Sequence, residues 1–159
     1  MPSRVTNAPV VTFPSIDWFQ RLADVMNANR ARHEKLGYVD CVAQFTVLDP
    51  GTSPWNAQVT FEEFSAVDVR QVEAGDEGRA DFVLEMPLEQ WRSMIDSIAA
   101  GEGRPALEQT LNCLSNMGAP LAVRSNDPLR RDLYFRYNQS LQEFINASAA
   151  FKTTYGRDS

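Results

Sequence analysis

The residues able to do chemistry are few and scattered. A single histidine, His33, leaves no multi-histidine metal site, and the two cysteines, Cys41 and Cys113, lie far apart and form no CxxC. HExxH, GxSxG and P-loop patterns are all missing from the sequence, so no cofactor or metal is expected. What remains for proton transfer is His33, Asp40 and a tyrosine, Tyr134 or Tyr137. An imidazole or carboxylate inside an apolar cavity can move protons without a metal, which is how small isomerases, cyclases and dehydratases work. His33 and Asp40 could pair. A histidine near the end of a helix more often only meets the last carbonyls or fills the rim of a core.

A second set of residues is apolar and recurs at helical spacing: Trp91, Met94 and Ile98, then Leu114 and Met117, then Leu141 and Phe144. Aromatic and methionine side chains at such positions fill a core or line a pocket. An apolar guest burying about 300 Å² would gain roughly 7 kcal/mol before entropy losses, close to the 8 kcal/mol of micromolar affinity. Neither charge nor metal is needed for that.

The elements that must position these residues are legible from periodicity. The chain has 159 residues, 43% hydrophobic and 23% charged, the balance of one ordinary domain. Residues 1–14, with Pro2, Pro9 and Pro14, read as a flexible arm, and 152–159 as a polar tail. Between them, residues 15–151 form the single domain. Ser15 caps a helix running to about Lys35, stopped by Gly37. Period-two alternation then marks strands at 38–48, 55–62, 66–72 and 80–86, an antiparallel meander with Asn56, Gln58, Thr60 and Glu62 facing water. From Pro87 the period becomes helical up to Gly101. A second helix is expected over 105–117, closed by Gly118, then a short strand at 121–124 and one extended final helix over 129–151. The fold class is therefore α+β, a mainly antiparallel five-stranded sheet covered by helices.

Charge excludes some partners. The net charge is −6, and eight acids between Glu62 and Glu85, against Arg70 and Arg79, account for all of it. A chain with two lysines and scattered arginines has no phosphate-binding surface, so nucleic acid is not expected, and the acidic face disfavours stable binding to anionic membranes. No apolar run reaches the roughly 18 residues of a membrane span. Residues 1–15 contain no signal-peptide core, which makes the cytoplasm the expected location and both cysteines reduced thiols.

The order helix, antiparallel strands, an Ala80-Asp81-Phe82 strand, a Trp91 helix ending in Gly101, and the Leu121-Ala122-Val123 strand resembles the sterol-carrier-protein-type lipid-transfer family. The resemblance spans residues 15–151 and is strongest over 80–124. It implies a helix-covered sheet enclosing a hydrophobic tunnel for fatty acyl chains, sterols or other apolar molecules. Three features depart from the family pattern: Ser125-Asn126-Asp127 in place of a Gly-Asp pair, the length of the 105–117 helix, and the extended final helix. The ending Arg157-Asp158-Ser159 is not a peroxisomal signal.

The leading expectation is therefore a carrier of a hydrophobic or amphipathic small molecule, fatty acyl, sterol or polyketide-like. Its ligand contacts would be Trp91, Met94, Ile98, Leu114, Met117, Phe135, Leu141 and Phe144, with Arg124 meeting a polar head. The alternatives are a cofactor-free enzyme using His33, Asp40 and Tyr137 in the same cavity, and a homodimer assembled through the arm or the last helix.

Overall fold

The computed structural model describes residues 9–116 and 120–156. Its main sheet has five strands: β2 (Cys41–Leu48), β3 (Trp55–Glu62), β4 (Ser65–Val72), β5 (Phe82–Pro87) and β6 (Ala122–Arg124), in the order β4-β3-β2-β5-β6. The pairs β2–β3, β3–β4 and β5–β6 are antiparallel, whereas β5 lies parallel to β2. The expected meander is thus corrected to a mixed sheet. The chain leaving β4 does not turn back beside it. It crosses the sheet through a 3-10 segment (Ala74–Arg79) and enters on the far side of β2.

Among the described residues, six α-helices accompany the sheet: α1 (Ile16–Ala28), α2 (Arg30–Leu36), α3 (Leu88–Ala100), α4 (Leu111–Ser115), α5 (Pro128–Arg136) and α6 (Asn138–Asn146). Ser15 caps α1 as expected, its hydroxyl accepting from the Trp18 amide at 3.1 Å. Asn29 then interrupts the helix, so the predicted run to Lys35 is two helices. Asn27 grips the β4 backbone, its amide donating to the Ala66 carbonyl and accepting from the Ala66 N–H, both at 2.9 Å.

The inward sheet residues match the alternation: Ala43, Phe45, Val47, Ala57, Val59, Phe82, Leu84 and Met86 are fully buried. Rings from all layers meet there. Phe19 lies 5.0 Å from Phe45 and 5.7 Å from Trp55, and Phe144 stands edge-on to Phe61 at 5.0 Å.

The outward face differs from expectation. Glu62 is exposed as expected, but Gln44, Thr46, Asn56 and Gln58 are buried, not solvated, and Gln58 meets the 3-10 segment at the Asp76 carbonyl. They satisfy one another: Gln58 Nε2 donates to Gln44 Oε1 and to the Asp76 carbonyl, both at 2.9 Å, and Thr46 Oγ1 donates to Asn56 Oδ1 at 2.7 Å.

Three further expectations are corrected. The arm reading fails at residues 10–13, where β1 (Val10–Phe13) pairs in parallel with β7 (Lys152–Tyr155), itself the start of the supposed polar tail. Phe13 is fully buried against Trp18 at 4.7 Å, so apolar burial holds this strand in place. The predicted 105–117 helix is a 3-10 turn (Leu107–Gln109) followed by the five-residue α4. Thr110 is extended there and caps α4 with its hydroxyl. The extended final helix breaks at Tyr137 into α5 and α6. Since α5 buries only Tyr134 while α6 buries Leu141, Phe144 and Ile145, no common apolar face holds the two in line.

Candidate functional site

The apolar candidates converge. Trp91, Met94 and Ile98 form the inner stripe of α3, Leu114 comes from α4, and Leu141 and Phe144 come from α6; all six belong to one core cluster. Phe45 of β2 sits between Trp91 and Phe144, with ring centroids 6.2 and 6.1 Å away. The Trp91 indole N–H donates to the Thr46 carbonyl at 3.2 Å, which leaves no unpaired polar group on that ring. These positions are filled by one another's side chains, each at most 4% exposed. Met117 and Gly118 lie outside the described residues.

Two candidates sit elsewhere. Arg124 lies at the end of β6 toward the acidic crossing segment, its guanidinium donating to both carboxylate oxygens of Glu77 at 3.1 and 2.9 Å and to Glu85 at 3.1 Å. Hydrogen bonding from Arg124 holds the Glu77 carboxyl below its ordinary range. Its fork is thus occupied by the protein's own carboxylates. Phe135 is half exposed and lies between the Tyr134 ring, 5.0 Å away, and the Arg131 guanidinium, 5.3 Å away. Its neighbour Tyr134 takes the buried side of α5.

The catalytic candidates are separated. His33 lines a groove of about 710 Å³ between α2, α6 and the loop after α3, where the charges acting on it are Glu143 and Arg32. Burial holds its imidazole below the ordinary 6.5. Asp40 is exposed beside Cys41 and Asp81 in a different groove, and Tyr137 lines a third with Tyr38 and Phe135. His33 and Asp40, which could have paired, line different grooves. Cys41 is a buried thiol whose pKa burial pushes up, whereas Cys113 is only half-buried. Among the described residues, no three His, Cys, Asp or Glu side chains are placed to hold a metal ion.

Sequence reasoning missed the walls around the core. Ala147–Ala150 forms a 3-10 turn of small residues with Ala149 and Ala150 exposed to two grooves: the one containing His33, and one of about 310 Å³ lined by Ile95, Ala99, Phe151 and Tyr155. The His33 groove also holds Arg104, Gln142 and Asn146. Arg104 is set there by a tight turn. A side chain at Gly101 would collide with the Arg104 carbonyl oxygen, and Gly103 takes a φ of 100°. The glycine pair is visible in the sequence. That it faces His33 is not, because nothing local links the two.

The fold has relatives among solved structures. The crystal structure of sterol carrier protein 2 superposes with a TM-score of 0.63 at 19% identity, covering 85% of this chain and 95% of its own. The solution structure of a conserved hypothetical protein from Thermus thermophilus, with a suggested sterol-carrier identity, gives 0.59 at 18% identity over 86% and 89%. No protein-family model matches the chain, and no curated protein matches it significantly. Among the described residues no helix is long and apolar enough to cross a membrane. The chain has the sterol-carrier-type fold, as its motif order implied.

Proposed function

We propose that this protein binds and carries a hydrophobic or amphipathic small molecule between the sheet and its helical cover. The observation that supports this best is the convergence of Trp91, Met94, Ile98, Leu114, Leu141 and Phe144, from three separately folded helices, onto the inner face of a sterol-carrier-type sheet. A guest there trades contacts with these side chains for the contacts they make with one another. Met94 and the leucines adapt at low cost because their side chains are flexible. In this reading a guest enters beside the Ala147–Ala150 turn, whose Ala149 and Ala150 line both grooves; Met26 of the core cluster lines one of them, Ile95 and Phe151 the other. The isolation of His33, Asp40 and Tyr137 from one another leaves the enzymatic alternative without a constellation to support it.

Uptake of a fluorescent long-chain fatty alcohol tests the reading. Wild type should bind it in the micromolar range, and Leu114→Arg, with its fold verified by circular dichroism, should weaken uptake at least about tenfold, equivalent to 1.4 kcal/mol. A folded Leu114→Arg protein that takes up the alcohol as well as wild type would exclude this site.

A further inference from the structure

The groove containing His33 carries chemistry that the core site does not need. His33 is 2% exposed and its Nδ1 is buried without a hydrogen-bond partner, an arrangement proteins avoid unless something else completes it. On another wall, Arg104 is exposed and, among the described residues, meets no carboxylate, whereas Arg32 is tied to Glu143 at 3.3 Å. We propose that this groove is an anion subsite in which His33 and Arg104 together hold the carboxylate of an amphipathic ligand. This rests on the carrier reading for the ligand's tail and is independent of it for the head.

The charges lining the groove cancel, so the choice of an anion rests on His33, whose unpartnered imidazole becomes a second donor beside Arg104 once protonated. From α2 comes Arg32 and from α6 Glu143, which neutralise each other; the loop after α3 adds Glu102 and Arg104, α1 contributes only the uncharged Val25 and Met26, and the break after it Asn29. An entering carboxylate finds an unpaired guanidinium for a charge-assisted hydrogen bond, and an imidazole able to take up a proton. An ammonium head finds Glu102 alone and an imidazole that burial keeps neutral. The hydrocarbon part has a path: Met26, Pro105 and Ala147 line the same groove, and Ala149 and Ala150 continue into the groove beside Ile95 and Phe151. The ligand's carboxylate opposes the desolvation of the imidazolium, so binding is coupled to proton uptake at His33.

His33 is the sole histidine, so its imidazole resonances report the subsite directly. Titrated by NMR in octanoate, His33 should show a midpoint raised by about one pH unit, with octanol leaving it unchanged. Arg104→Ala should abolish the shift and Arg104→Lys restore part of it. An unchanged midpoint in octanoate would overturn the subsite, even if long-chain alcohol is still taken up by the core. A shift in octanoate without any uptake of long-chain alcohol would retain the subsite and remove the carrier. Acetate acting as strongly as octanoate would overturn the amphipathic part of the assignment.

Discussion

The sheet buries its helix-facing side and a patch of its outward side, and the two are held by different forces. The helix-facing side is a continuous set of rings and aliphatic chains, from Phe13 and Trp18 through Phe45 to Phe144, whose attraction is non-directional and proportional to area. On the opposite side lies a short ladder of amides and hydroxyls, Gln44, Thr46, Asn56 and Gln58, where each group depends on the orientation of its neighbour. The first face can rearrange around a guest of suitable volume. The second is fixed, because moving one amide leaves another unpaired in a low-dielectric setting. Adaptable packing on the helical side and rigidity on the other follow from that contrast.

The comparison can be broken most forcefully on the apolar side. Phe144→Ala removes a ring that touches both Phe45 and Phe61, and should destabilise the protein by about 3–5 kcal/mol in urea unfolding. A loss under about 1 kcal/mol would mean the space is loosely filled, contrary to the packing described. On the polar side, Gln58→Leu strands Gln44 Oε1 and should cost about 1–3 kcal/mol, while the double change Gln44→Leu with Gln58→Leu should cost less than the two singles combined. Additive losses would show that the ladder contributes no cooperativity.

The smallest effect is at the Arg124–Glu77 pair, which ties β6 to the 3-10 segment that Gln58 also meets. Glu77 is held below its ordinary pKa by Arg124, so it binds fewer protons folded than unfolded; its contribution is present above the unfolded carboxylate range and is lost as pH falls through the folded value. Because the pair is more than a third exposed, Glu77→Gln should lower stability near neutral pH by at most about 1 kcal/mol and flatten the acid limb of the profile. An unaltered limb between the mutant and wild type would assign that tie to Gln58 and the backbone of Asp76 instead.

How much of this was legible depended on the range of the interaction. The α3 stripe, the Ser15 cap and the inward alternation of β2, β3 and β5 follow from local periodicity, so Trp91, Met94, Ile98 and Phe45 could be placed from spacing alone. Arg124 could be placed at the end of its strand but not paired, since Glu77 reaches it from the crossing segment and Glu85 from the neighbouring strand β5. Phe135 lies on the exposed side of α5, next to the buried Tyr134; helical spacing alone puts it opposite Phe144.

By itself the sequence determined an α+β chain with a helical cover of known apolar stripes, a reading that needs only periods of 3.6 and 2 and the residues that stop them. Tertiary structure alone decided that β5 runs parallel to β2, that the outward amides are covered, that Phe13 belongs to the core, and that His33 shares a groove with Arg104. These outcomes depend on groups far apart in the chain meeting at the lowest free energy of the whole fold. The pattern within any one segment carries no record of its distant partner.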